Sequence, residues 1–426
     1  MSILCKLHKY AGEVAWVTFG NLFRTGCVFI GWSFLAHNLG PERLGVFSFA
    51  FATMNLVASL SEFGLGVGIV KFVASEKLGS KRANSLLRVG FWLRSFMTLL
   101  LAGILIVISK WVAVSVMNNP MLHLPIVFAA FGTVAASLYA YVLSAYQGTR
   151  RFKGYGIISI SSGLSLLSGF LFLYITKNLN VNIALVVASC AFLLPAIIGM
   201  LFLNAGLTNF PSADCWKEAR SVISFSRWVL AGSMIVVLIM QADSFLLTRF
   251  STLAEVGKYS VGSRLALSIS VITNSILTVV MPNILKNNDY LQFKKMYIEM
   301  FKWLPFLIGI YCLAFLISPW VVQIAFGSGY EKSVVVFRIL FGAYLLSSVT
   351  NILNYTSYGL NRPDIVSLNI FTQFIVLIVI GVMCVPSLGA TGMADAVLVS
   401  RIIGFLYIFI YMWRTFKIKY VGVGSQ

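Results

Sequence analysis

The chain has 426 residues, 59% of them apolar and only 11% charged, and it carries a formal net charge of +19. A soluble protein of this length could not cover its surface with so few charges, so the water-soluble classes are excluded. The basic excess would suit nucleic acid, but it is spread over short segments between apolar runs, and no nucleic-acid partner is expected.

Twelve runs are apolar enough to cross a hydrocarbon core of ~30 Å, which takes about 20 helical residues. They cover 13–36, 44–69, 89–109, 122–145, 156–175, 183–205, 228–248, 258–281, 303–324, 333–358, 365–384 and 393–413. The expected class is an all-α polytopic membrane protein. The first run is too long for a cleaved signal peptide and has no small-residue cleavage site. Of the 32 Lys and Arg, 21 fall in the N-terminus, the even-numbered connections and the C-terminus, for example Lys71, Lys81, Arg82, Arg150, Arg151, Lys286, Lys294 and Lys295. Six fall in the odd connections: Arg43, Lys110, Lys177, Arg249, Lys258 and Lys332. This asymmetry predicts that both termini are cytoplasmic. The basic inner face also attracts anionic membrane lipid.

A shift of 212 residues maps the first half onto the second. Gly45 falls on Gly257, Phe47 on Tyr259 and Ser48 on Ser260; far along, Tyr146 falls on Tyr358 and Arg150 on Arg362. The same offset at two distant places needs no gap between them. The spacing predicts two six-helix lobes, 1–210 and 211–426, related by an internal repeat. Six spans per lobe give both the same orientation, as in transporters whose halves are related by an axis along the membrane normal.

The connections exclude more than they contain. Every external loop is about a dozen residues or fewer, too short for a catalytic domain. No phosphate-binding GxxxxGK[ST] is present. His8, His37 and His123 read as interfacial residues. The six cysteines, Cys5, Cys27, Cys190, Cys215, Cys312 and Cys384, form no CxxC, and none lies in an external loop, so neither a disulfide framework nor a metal site is expected. No Ser/His/Asp or paired-carboxylate arrangement stands out. Catalytic residues and cofactors are not expected, and movement of a substrate is the better reading.

Ionisable residues within spans cost about 2.5–3.5 kcal/mol each at the helix centre and persist at cavities, in pairs or near span ends. Arg24 lies near the middle of span 1, with Asn21 and Thr25 beside it at helical spacing, which predicts one polar face. Glu62 lies in the inner half of span 2 and is a candidate for ion coupling or for a charge pair with Arg24. Asp243 near the outer end of span 7 and Arg264 in span 8 lie at similar depth and could pair. Arg401 is mid-depth in span 12, and Asn351 and Asn354 give span 10 a polar stretch toward the interior. Arg94, one turn into span 3, is expected to snorkel to the inner surface, and Arg338 and Asp395 to be solvated. Arg24, Arg264 and Arg401 are the candidates for a cationic substrate cavity. The intramembrane charges do not obey the 212 shift: Arg24 falls on Val236 and Glu62 on Asn274.

The segment 35–73 resembles the polysaccharide exporters of the MOP (multidrug/oligosaccharidyl-lipid/polysaccharide) superfamily, and among them Wzx-type O-antigen flippases. Leu39, Gly40, Pro41, Glu42 and Gly45 match that family's first turn, and Glu62, Phe63, Gly64 and Leu65 match its Asp-Phe-Gly-Leu with Glu for the usual Asp. Asp243, then Glu255-Val256-Gly257-Lys258-Tyr259-Ser260, resembles the second-half pattern, and 359–363 and 389–394 are similar to the late spans. The resemblance implies two lobes that open alternately to each side of a bacterial inner membrane. It implies a polyprenyl-pyrophosphate-linked oligosaccharide as cargo, with a polysaccharide polymerase and chain-length machinery as partners. A MATE-like cation exporter shares the fold and would use Glu62 or Asp243.

Overall fold

The computed structural model describes residues 3–62, 64–74, 76, 80–203, 207, 209–212, 234–267, 304–359 and 362–423. Parts of expected spans 7 and 8, Cys215 and the basic connection with Lys286, Lys294 and Lys295 lie outside them. Among the described residues all regular structure is helical, and nine helices are long and apolar enough to span a membrane. The protein is a multi-pass membrane protein. Its chain forms two compact units, 1–249 and 250–426.

In the first unit, α1 runs Ile3–Leu60 with one non-helical residue, Gly40 (φ 70°, ψ 171°). Spans 1 and 2 therefore meet at a single residue where the sequence suggested a short loop. Pro41 explains this, because its ring ends the helix before it and suits the first turn of the helix after it. Span 2 is also not continuous. It stops at Leu60, turns at Ser61, Glu62 and Gly64 and resumes as α2 (Leu65–Ala74), with Gly64 at φ 68°. A Cβ there would be strained, so glycine is what allows the turn.

Next, α3 spans Lys81–Trp111, with Ser80 accepting a hydrogen bond from the Ala83 N–H at 3.1 Å, and passes into one π-turn at 112–116. Then come α4 (His123–Gly148), α5 (Phe152–Ile175), α6 (Val181–Leu203) and α7 (234–250). The second unit holds α8 (253–267), α9 (Leu304–Phe326), α10 (Lys332–Gly359), α11 (Pro363–Leu388) and α12 (Ala390–Val423). Shifted by 212, α4, α5 and α6 fall on 335–360, 364–387 and 393–415, within a few residues of α10 and α11 and inside α12.

Two packing modes position the polar groups. Large apolar side chains fill the first core, where Trp32, Phe47 and Phe170 meet edge to face. Between α1 and α5 the contact is instead made by small residues. A Cβ on Gly156 would lie 2.6 Å from the Trp16 carbonyl oxygen, and one on Gly163 would lie 2.8 Å from the Arg24 Cα. Lipid supplies no hydrophobic drive for helices to associate, so close backbone approach of this kind is what binds them.

Candidate functional site

Arg24 is carried on α1 where that helix touches α5. It is half-buried, and its guanidinium sits 5.4 Å from the ring centre of Tyr139 on α4 and 5.8 Å from that of Phe192 on α6. Its Nε is buried without a hydrogen-bond partner, and no described carboxylate pairs with it. Asn21, one turn earlier, is half-buried. Thr25 donates to the Asn21 carbonyl oxygen at 2.7 Å, so its hydroxyl is turned back onto its own helix. The polar face of α1 thus narrows to Asn21 and Arg24, backed by aromatic rings.

Glu62 does not face Arg24. Its Oε2 lies 3.8 Å from Nη2 of Arg94 on α3. Arg94 does not snorkel either: it is 2% exposed and donates from Nε to Ser137 Oγ at 3.0 Å. Ser61, Thr98 and Ser137 complete a buried hydroxyl cluster with Oγ–Oγ distances of 2.8–3.1 Å. The break after Leu60 turns Ser61 and Glu62 inward. Gly66 leaves them room, since a Cβ there would lie 2.1 Å from Glu62 Oε1. Asp243 is half-buried on α7 and accepts from the Ser244 N–H at 2.7 Å.

In the second unit, Arg401 Nη1 donates to Gln373 Oε1 at 2.5 Å, Gln373 Nε2 to Asn369 Oδ1 at 3.1 Å, and Asn369 Nδ2 to Asn354 Oδ1 at 3.2 Å. This ladder crosses α12, α11 and α10 and joins two residues picked from the sequence, Arg401 and Asn354, through two that were not. Asn369 and Gln373 are four apart within an apolar run, a spacing that marks one helix face. Asn351 is half-buried one turn before Asn354's face, and Arg264 is half-buried on α8. Arg338 is not simply solvated: it donates to Ser318 Oγ at 3.0 Å and to the Phe315 carbonyl oxygen at 3.1 Å, tying α10 to α9.

The fold is similar to that of solved membrane transporters of the MOP superfamily. An inward-facing MATE multidrug transporter of that superfamily matches with a TM-score of 0.71 at 15% identity, covering 93% of this chain and 95% of that one. The lipid II flippase MurJ in an inward closed conformation matches at 0.66 and 14%, covering 96% and 87%. The chain belongs to the polysaccharide biosynthesis protein family, whose model matches residues 11–288. A probable low-salt glycan biosynthesis flippase, Agl15 of Haloferax volcanii, is 23% identical over 393 residues, 89% of this chain and 78% of its own. A putative O-antigen transporter of Shigella flexneri is 20% identical over 325 residues, 74% and 76% of the two chains.

Proposed function

We propose that this protein is a flippase that carries a polyprenyl-pyrophosphate-linked oligosaccharide across the cytoplasmic membrane by alternating access. The observation that carries this reading is Arg24, a mid-membrane cation without a described carboxylate partner in a chain of this family. An uncompensated guanidinium at that depth is costly unless an anion visits it. Arginine suits pyrophosphate because its planar fork donates several charge-assisted hydrogen bonds. The polyprenyl tail stays in lipid while the head crosses. An inside-negative potential assists outward movement of an anion by about 2.3 kcal/mol per charge per 100 mV. Arg264 and Arg401 are the second-unit candidates for the same head, both termini are cytoplasmic, and a polysaccharide polymerase with its chain-length machinery is the downstream partner.

A cation exporter would need a free acidic group in the first unit. Glu62 and Asp243 are the candidates there, and the charge of Glu62 is already opposed by Arg94, which counts against Glu62 in that role. The test is Arg24→Ala in a host that depends on this gene. The expected result is a folded, inserted protein, no surface polysaccharide, and lipid-linked intermediate held on the cytoplasmic side. Normal export overturns the reading.

A further inference from the structure

Tyr139 has a hydroxyl that its surroundings do not explain. The side chain is 5% exposed, and its Oη is buried with no hydrogen-bond partner. A buried phenol without a partner is destabilising relative to phenylalanine, which would fill the same space. The ring alone serves to pack on Arg24 and, tilted by 50°, on Phe192, whose ring centre is 5.3 Å away. The hydroxyl adds nothing to that packing. A second orphan stands beside it, the Nε of Arg24. A third, Ser159 Oγ, lies between Gly156 and Gly163 on the face of α5 that touches α1.

We propose that Tyr139 is a substrate-contacting residue that donates a second hydrogen bond, beside Arg24, to the anionic head of the cargo. This inference rests on the flippase reading of Arg24. Arg24 can only donate hydrogen bonds, and a phenol beside it donates most favourably to an oxygen that the guanidinium also holds. Two adjacent unmet donors, Arg24 Nε and Tyr139 Oη, select an acceptor-only group, and a phosphoryl oxygen is one. In the unladen site the two rings hold the guanidinium by cation–π contact. When the head enters, Arg24 leaves the rings and both orphan donors find the same oxygen-rich partner.

The experiment uses the full-length chain purified in detergent. The probe is geranylgeranyl pyrophosphate, which carries a prenyl tail and the anionic head, with geranylgeraniol as the uncharged control. Tyr139→Phe is expected to melt no lower than wild type, because it removes only an unpartnered hydroxyl. It is expected to bind the pyrophosphate about tenfold more weakly or worse, as loss of one hydrogen bond to a charged group implies, and the alcohol unchanged. A Tyr139→Phe protein that binds the pyrophosphate as tightly as wild type, while Arg24→Ala does not bind it, overturns this inference alone. If Tyr139→Phe melts below wild type, the hydroxyl has a structural partner and the inference also falls. If Arg24→Ala binds like wild type, or wild type does not distinguish the pyrophosphate from the alcohol, the Arg24 reading fails and this one with it.

Discussion

Arg94 and Glu62 face each other across the broken end of the first long helix, Nη2 to Oε2 at 3.8 Å, with the arginine side chain 3% exposed and the glutamate 32%. Neither can be understood without the other. Removing one partner of a buried pair leaves an uncompensated charge, whereas removing both leaves only a packing change. Glu62→Ala should therefore destabilise the purified protein by about 2–3 kcal/mol, at the low end for such pairs because the carboxylate is partly screened. The double variant Glu62→Ala/Arg94→Met should recover part of that loss. Thermal melts of the two singles and the double decide it, and purely additive losses would mean that the two are not coupled.

The α1–α5 seam makes a sharper prediction about glycine. At Gly156 a new Cβ meets a backbone carbonyl oxygen, which no rotamer change can relieve, and at Gly26 it meets nothing within 4 Å. Gly156→Ala should cost about 1–3 kcal/mol through overpacking and should spread α1 from α5 under Arg24. Gly26→Ala, on α1, should be neutral or stabilising by up to about 1 kcal/mol. Melting curves of the pair, with expression matched, check this. Equal effects would show that the close approach is not what holds the seam.

The spans were legible in the sequence because hydrocarbon thickness imposes length and hydropathy on every crossing helix. The 212-residue offset is carried by residues such as Gly45 and Gly257, which lie in the first turns of helices and not within long apolar runs. The break in span 2 was not read. Its marks were present as Gly64 and Gly66, but glycine in a membrane helix serves packing as often as turning, and only the backbone distinguishes the two. Arg94 was misplaced for a related reason. Its partners Thr98 and Ser137 are single hydroxyls inside apolar runs, and each is cheap to bury alone by bonding back to its own helix. Nothing in one dimension says that they converge on an arginine. Asn369 and Gln373 were visible as polar residues at helical spacing, and only their contact with Arg401 gives them a role.

The ladder through the second unit has a fixed direction. Arginine cannot accept a hydrogen bond, so Gln373 must present Oε1 to Arg401 and Nε2 to Asn369, and Asn369 must in turn present its amide to Asn354. Gly404 makes room for the amide, since a Cβ there would lie 2.4 Å from it. Gln373→Leu removes an acceptor from Arg401 and a donor from Asn369 within the core, and should cost about 1–3 kcal/mol. Thr372→Ala, next in sequence but bonded only to its own helix at Leu368, should stay within about 0.5 kcal/mol of wild type. Unfolding midpoints of both variants test whether the ladder or merely the region matters.

Glu255 lies ahead of expected span 8 and holds the start of the last helix. Its Oε2 accepts from the Ala390 N–H at 3.1 Å, and its Oε1 lies 3.0 Å from Lys258 Nζ and 3.5 Å from Lys332 Nζ. Burial pushes its carboxyl up, but the Ala390 hydrogen bond, the Lys258 hydrogen bond and the charges of both lysines outweigh burial and hold it below the usual glutamate range. A carboxylate depressed in the folded state stabilises that state above its unfolded pKa, about 4.3, and loses the contribution as pH falls through the lower folded value. Glu255→Gln keeps an acceptor for Ala390 and has nothing to titrate. It should be less stable than wild type by about 1 kcal/mol at neutral pH, a modest figure because Lys332 is 66% exposed. The gap between the two proteins should hold from neutral pH down to about 4.3 and close below it. Melting temperatures of both, taken in parallel from pH 7 to pH 3, measure that gap directly; a difference that stays constant across the range would mean that the carboxylate's charge contributes nothing to the clasp.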